Sequence, residues 1–178
     1  MKVCIVAEGC YPYVVGGVSG WINSLIQSFP NIEFILLTII ANRSSRGKFV
    51  YELPKNVTQV YEVYLDDCEW NNGKKRQKNR KHIRLSRKEY AEMLNMVLNR
   101  KTDWNILFDL FQRKNLSIDD LLMGPDFFQI ARECYNRKYS GIIFSDFLWT
   151  LRSIYLPMFW VLKMNIPKAD LYHCVATG

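Results

Sequence analysis

The chain has 178 residues, of which 49% are hydrophobic and 14% aromatic, and 24 Lys and Arg against 17 Asp and Glu give a formal net charge of +7. A single domain of this length buries roughly 70% of the surface of its unfolded chain, so it can build a core without disulfides or a structural metal. The composition excludes a disordered chain, a collagen-like repeat and a disulfide scaffold.

The positive charge is concentrated in one segment. Residues 74–88 carry nine basic and no acidic side chains, whereas residues 1–73 carry five basic and seven acidic ones and residues 89–178 carry ten of each. The segment has no aromatic residue that could stack on bases, so we predict no nucleic-acid partner and interpret it as a solvated loop. The alternative is that residues 74–88 contact an acidic protein partner or an anionic membrane surface.

The cysteines and histidines predict neither a metal site nor a disulfide framework. The five cysteines are widely spaced without a C-x-x-C pair, and the two histidines are His82 and His173. We interpret the cysteines as reduced thiols. The apolar start is too short for a signal peptide, and the apolar runs fall short of the ~20 residues of a membrane span. These patterns predict a soluble, cytoplasmic protein.

The N-terminal third has the pattern of an α/β fold. Residues 3–7 predict a buried strand, a glycine-rich loop follows, apolar residues from Trp21 to Phe29 recur at helical spacing, and residues 33–41 predict a second buried strand. This order is a βαβ unit. Residues 49–53 and 57–65 predict two shorter strands, which are compatible with a hairpin.

The remainder predicts mainly helices. Ser86 and Glu89 have the spacing of a capping box, and further helices are expected at 103–111, after Ser117 and at 125–135. Residues 142–144 fit a short strand or a loop packed on the core. Residues 146–163 predict a long helix, interrupted or kinked near Pro157, and residues 169–175 predict a last strand.

Together these elements predict one Rossmann-like domain over residues 1–178: an open parallel sheet with helices on both faces and a helical insertion at about 86–138. Because a parallel strand feeds a crossover, a sequence that closes on a strand and Thr-Gly leads us to expect a fragment. We expect the domain to be incomplete.

Residues 8–21, with the sequence EGCYPYVVGGVSGW, form the strongest candidate site. In open α/β sheets, ligands bind beyond the carboxyl ends of the strands, where glycines let the backbone approach a phosphate. The spacing fits neither of the usual nucleotide-binding loops, so a tight turn with Ser19 as helix cap is the alternative. Tyr11, Tyr13 and Trp21 either form a platform for a sugar or base or pack the loop on the core.

Two further side chains have alternative interpretations. His173 is predicted at the end of the last strand, either as a structural residue or as a catalytic one. Arg152 lies in an apolar helix and either pairs with a buried carboxylate, extends to solvent, or holds a ligand. A dinucleotide-dependent oxidoreductase is disfavoured, because the fingerprint is missing and Asn42 and Arg43 stand where an acidic residue is expected.

Three blocks, at residues 8–21, 147–154 (FLWTLRSI) and 167–178 (PKADLYHCVATG), resemble the N-terminal region of PelF-type glycosyltransferases of glycosyltransferase family four. The resemblance implies the acceptor-side domain of a retaining GT-B enzyme, which transfers a sugar from a nucleotide-diphosphate donor, expected to be a UDP-sugar, to a glycan acceptor in polysaccharide biosynthesis. It implies no metal and no other cofactor. It places the donor diphosphate at Gly16, Gly17 and Val18, the acceptor at Glu8, Tyr11, Tyr13, Ser19 and Trp21, and catalysis at His173. We also assign Arg152 to the acceptor, as the ligand-holding alternative above.

The chain departs from that family in two ways. Val175 stands where many relatives have a second histidine, and the 178 residues contain no C-terminal nucleotide-sugar domain. We therefore expect little or no transferase activity from the isolated chain, and a homo-oligomer is left open. The alternative from another functional class is a Rossmann-like binding module that docks through residues 74–88.

Overall fold

The computed structural model describes residues 1–68, 83–113 and 115–175. It divides into two compact units. One, here called the sheet unit, comprises Met1–Glu69 and Asn165–Gly178, and the other, the helical unit, comprises Trp70–Met164. The helical insertion predicted at about 86–138 falls within the second of these.

The sheet unit contains a four-stranded sheet in which all neighbouring strands are parallel. The strands lie in the order β3-β2-β1-β4. Helix α1 connects β1 to β2, as the βαβ pattern predicts. The prediction of an α/β, Rossmann-like open sheet is confirmed. The bounds are β1 Lys2–Glu8, α1 Gly17–Ser28, β2 Glu33–Ile40, β3 Val57–Tyr64 and β4 Leu171–Val175.

The core of the sheet unit lies between the sheet and α1. Ile22 and Ile26 are a helical turn apart on α1 and are fully buried against Ile5 of β1 and Leu36 of β2. Each such side chain contributes about 1.5–3 kcal/mol by leaving water. The near-continuous apolar runs of β1 and β2 therefore match strands that are buried in the sheet interior.

The predicted strand at residues 49–53 and the hairpin are wrong. Residues 49–53 form no strand and therefore no hairpin with residues 57–65, and β3 instead pairs with β2 in parallel. The apolar residues of this segment instead pack on the loop after β1. The Tyr51 ring lies 5.2 Å from the Tyr11 ring, and the Phe49 ring lies 5.3 Å from the Tyr13 ring.

The helical unit follows the predicted helix starts closely. Ser86 and Glu89 form the complete capping box, and Asp103 and Ser117 each accept a backbone N–H as N-caps. A π-helical turn, Tyr135–Tyr139, continues the helix that starts at Pro125. The bounds are α2 Arg87–Val97, α3 Trp104–Phe111, α4 Ile118–Leu122, α5 Pro125–Cys134 and α6 Phe144–Lys163.

The segment before α6 differs from both interpretations of residues 142–144. Ile142 and Ile143 are 52% and 68% exposed, so they form neither a strand nor a loop packed on the core, and α6 begins at Phe144. Pro157 lies inside α6, which continues through it without interruption. The buried end of α6 packs Phe159 on Phe111 of α3, with ring centroids 4.7 Å apart.

Candidate functional site

The loop between β1 and α1 starts with a left-handed turn. β1 ends at Glu8, an exposed residue, and Gly9 follows with a φ of +59°. Glycine adopts this conformation without the steric cost that a Cβ would add. The Gly9 N–H donates to the carbonyl oxygen of Ile39 at 2.9 Å, so the loop is anchored to the carboxyl end of β2.

The predicted donor-loop residues form an open helix start. Gly16 is the N-cap of α1 in an extended conformation, and neither a side-chain cap nor an acidic residue of the first turn occupies the free N–H groups. A Cβ built on Gly16, Gly17 or Gly20 would meet no heavy atom of the described residues within 4 Å. The unpaired N–H groups and the helix dipole favour an anion here.

Ser19 is not the helix cap. It lies in the first turn of α1 and is 2% exposed, whereas Gly16 occupies the N-cap. The carbonyl oxygen of Gly16 accepts the first helical hydrogen bond, from the Gly20 N–H at 2.8 Å. Because Gly16 has no side chain to act as an acceptor, the helix start lacks the hydroxyl cap that the sequence interpretation assigned to Ser19.

Tyr11 supports the loop from within the core. Its side chain is fully buried, packs on Tyr51, and donates its phenolic hydrogen to Asn23 Oδ1 at 3.2 Å. Burial, with a smaller effect from Tyr51, raises the pKa of Tyr11 to about 12. The phenol therefore stays protonated and holds the loop in place, and the predicted contact of Tyr11 with an acceptor stays a prediction.

Tyr13 is held by a carboxylate that sequence reasoning did not single out. Its hydroxyl donates to Glu62 Oε1 at 2.5 Å, and the same oxygen accepts the Gly47 N–H at 3.1 Å. Burial raises the pKa of Glu62, but the hydrogen bonds from Tyr13 and Gly47, together with the smaller effects of Tyr64 and Arg46, outweigh it and leave this pKa below its usual value. No local signal could identify Glu62, because its partners are distant in sequence.

Trp21 and His173 form the solvent-facing part of the site. Trp21 is 49% exposed on α1, and the rings of Trp21 and His173 lie 5.7 Å apart with a 33° tilt. Both border a shallow apolar groove of about 190 Å³, which is also lined by Leu25, Phe29 and Leu171. The structure thus brings together two predicted site residues that are far apart in the chain.

The predicted position of His173 at the end of the last strand is wrong. His173 is the third of five residues in β4 and pairs with Ile5 in the middle of β1, whereas Val175 ends the strand opposite Ala7. Val175 packs against the core. Asp170 starts the ladder by accepting the Lys2 N–H at 2.7 Å through its carboxylate and by donating its own N–H to Lys2. His173 therefore faces the groove beside Trp21 rather than the carboxyl edge of the sheet.

Arg152 lies in the helical unit. It is 6% exposed on α6, its Nε donates to the carbonyl oxygen of Leu122 at 2.9 Å, and its guanidinium lies 5.3 Å from the Trp149 ring centroid. These contacts give Arg152 a packing role between α4 and α6. Its predicted contact with an acceptor stays a prediction.

The basic segment falls mostly outside the described residues, because residues 69–82 are not among them. Of its C-terminal part, Arg84 pairs with Asp126 at 2.9 Å, and Asp126 also accepts the Leu85 N–H at 2.8 Å. The proposed contact of residues 74–88 with an acidic partner or a membrane surface stays a prediction.

Comparison with known proteins gives a family but no activity. The sequence model of a family described as a domain of unknown function, DUF3492, matches residues 1–178. The chain belongs to that family. Neither the curated proteins nor the solved structures contain a match. In the described part of this DUF3492 chain, no helix is long and apolar enough to cross a membrane, and no group of three or more His, Cys, Asp and Glu side chains could hold a metal ion.

Proposed function

We propose that this DUF3492 chain supplies the acceptor-side half of a retaining glycosyltransferase that uses a nucleotide-diphosphate sugar, with a UDP-sugar as the expected donor and a glycan as the acceptor. The resemblance of residues 8–21, 147–154 and 167–178 to PelF-type enzymes supplies the reaction class, and polysaccharide biosynthesis is the process that it implies. The open start of α1 is the structural observation that carries the proposal.

The start of α1 has the chemistry that a diphosphate needs. Gly16, Gly17 and Val18 present backbone N–H groups at the positive end of the helix dipole, and the described residues leave room beside the two glycines. Phosphate groups bind at such helix starts because N–H donors and dipole act together. In the proposal, this backbone approaches the diphosphate of the donor.

The aromatic pair beside this helix start suits a sugar acceptor. The exposed face of Trp21 offers an apolar platform, and His173 adds ring nitrogens that can donate or accept a hydrogen bond. Glu8 is exposed at the end of β1, where its carboxylate can accept hydrogen bonds from sugar hydroxyls. In the proposal, Trp21 and Glu8 contact the acceptor, and His173 lies near the reacting sugar.

The start of α1 and the residues beside it, here called the half-site, are insufficient for catalysis on their own. Stabilising a departing nucleotide diphosphate without a metal requires several cations or N–H donors that converge in a closed cleft. The start of α1 provides only one side of such a cleft. We therefore expect the 178-residue chain to bind the diphosphate group weakly and to transfer no sugar.

Binding is tested by titrating the ¹⁵N-labelled 178-residue chain with UDP and following amide chemical shifts. The proposal expects the largest shifts at residues 16–20 and their loss in Gly17→Val, whose added side chain blocks the approach of a phosphate. Gly141→Val is the matched control, because a Cβ at Gly141 likewise meets no described heavy atom within 4 Å. Loop shifts that survive in Gly17→Val, or shifts confined to other regions, contradict the diphosphate assignment.

Catalysis is tested separately with UDP-sugars and a range of glucan and hexosamine acceptors. The expected result is no turnover by the 178-residue chain, even where the UDP titration shows binding at α1. Robust turnover would mean that the chain holds a complete active site, and it would refute the half-site proposal.

A further inference from the structure

The helical unit contains a cavity that the proposed function does not use. It has a volume of about 520 Å³ and lies between the C-terminal end of α2, the end of α5 with its π-helical turn, and the first half of α6. Pockets of this size hold small organic molecules. Its walls are mainly apolar and aromatic, and Ile143 at its rim is 68% exposed.

Three aromatic rings line the cavity. Tyr139 and Phe147 stack with ring centroids 5.1 Å apart and planes at 26°, and Tyr155 lies on the α6 side. Burial is the main cause that raises the pKa of Tyr155, so its ring carries a neutral hydroxyl at physiological pH. Phe147 is buried against the rings of Tyr139 and Tyr135, whereas Tyr139 is 44% exposed, and an exposed aromatic face attracts cations through its electron-rich π-system.

The lining of the cavity contains one acidic side chain. Among the described residues that border the cavity, Asp146 is the one carboxylate, and none is Lys, Arg or His. Its carboxylate accepts a hydrogen bond from Ser145 Oγ at 3.3 Å and is exposed in the first turn of α6. Cys134, also in the lining, has a pKa raised by burial, which outweighs the opposing effects of Lys138 and Arg137, so its thiol stays neutral.

We propose that this cavity binds a small apolar molecule that carries one amine or quaternary ammonium group. The apolar wall takes the body of the molecule, and the cation lies between the Asp146 carboxylate and the ring of Tyr139, which is 44% exposed. An anionic ligand would be repelled by Asp146. A polyol would leave hydroxyl groups without partners against the apolar wall. The Asp146 carboxylate and the Tyr139 ring thus select the charge of the ligand, while the cavity volume limits its size.

The test uses benzyltrimethylammonium and its uncharged isostere neopentylbenzene as probes of the 178-residue chain. Isoleucine methyl groups, including those of Ile142, Ile143 and Ile154 in the lining, report binding by NMR. We expect the cation to bind more tightly than the isostere. Asp146→Asn should weaken cation binding by about three- to fivefold and leave the isostere unchanged, as for a partly solvated charge pair.

Two variants complete the design. Asp109→Asn removes the same charge from an exposed position on α3 and should change neither affinity. Thr150→Trp, at an exposed lining position of α6, should fill the cavity and abolish binding of both probes while circular dichroism shows an unchanged fold.

Several results would overturn the proposal. Equal affinity for the two probes, equal weakening in Asp146→Asn and Asp109→Asn, or no binding of the cation at millimolar concentration would each remove the cationic specificity. A dimer in sedimentation equilibrium that Ile143→Lys dissolves would show instead that the cavity is an interface between copies of the chain.

Discussion

Replacing single glycines by alanine shows which glycines in the loop after β1 and the start of α1 are required by the backbone conformation of the folded chain. Gly20 lies inside α1, its φ is outside the left-handed region, and an added Cβ meets no described heavy atom within 4 Å. Alanine in a helix is more stable than glycine by roughly 0.5–1 kcal/mol. Gly20→Ala should therefore raise the free energy of unfolding by that amount, since nothing in the described chain requires glycine there.

Gly9→Ala is the matched opposite. It adds the same methyl group, also with no described heavy atom within 4 Å, but at a φ of +59°. A left-handed conformation costs an L-residue about 1–2 kcal/mol. The two variants should thus differ by about 2 kcal/mol in stability, which corresponds to roughly a 30-fold difference in the folding equilibrium constant.

Urea unfolding followed by circular dichroism measures both free energies, and calorimetry gives the midpoints. For a chain of this size, each kcal/mol corresponds to a shift of about 2–4 °C in Tm. A loss of stability in Gly20→Ala would show that another part of the molecule packs against the start of α1, and it would remove the open site. An unchanged stability in Gly9→Ala would refute the argument from the left-handed turn.

Three further substitutions test particular contacts. Tyr13→Phe removes a hydrogen bond to the Glu62 carboxylate and should lower the free energy of unfolding by about 1–2 kcal/mol near neutral pH. Because the folded-state pKa of Glu62 is lowered, this stability is present above the usual carboxyl pKa and is lost as the pH falls through the folded-state value. The free energies from urea titrations of the two proteins should therefore converge in acid. Ser86→Ala removes half of a capping box and should cost about 1 kcal/mol, with Ser86→Thr as the rescuing variant in the same denaturation assay. Phe159→Ala empties a fully buried position and should cost about 3–5 kcal/mol by calorimetry, and a loss below 1 kcal/mol would contradict the packing of α6.

The candidate site combines buried side chains that support the loop with exposed side chains beside it. Tyr11 is buried beneath the loop and Tyr13 is held by Glu62, while Trp21 and His173 remain accessible beside the start of α1. A site of this kind can present backbone N–H groups without first ordering the loop, which lowers the entropic cost of binding. The same arrangement explains why two of the predicted acceptor residues, Tyr11 and Ser19, are buried.

Local patterns in the sequence were sufficient for most elements. The apolar runs of β1 and β2, the helical spacing of α1, and the cap at Ser86 depend on residues within a few positions of each other, and the structure confirms them. The predicted strand at residues 49–53 was wrong, because alternating apolar residues can also pack as an irregular segment. The predicted strand or core-packed loop at residues 142–144 was wrong for a similar reason, since a short apolar run does not distinguish a strand from an exposed turn.

The sequence by itself determined the α/β class, the glycine-rich connection after β1 and the position of its helix, because propensity and periodicity are short-range properties. Only the tertiary structure decided that Gly16 rather than Ser19 is the N-cap of α1, that His173 pairs with Ile5 in mid-strand and lies beside Trp21, and that Glu62 holds Tyr13. Those outcomes depend on strand register and on contacts between residues distant in the chain. Their energies are set by the packing of whole elements, which no local window of sequence contains.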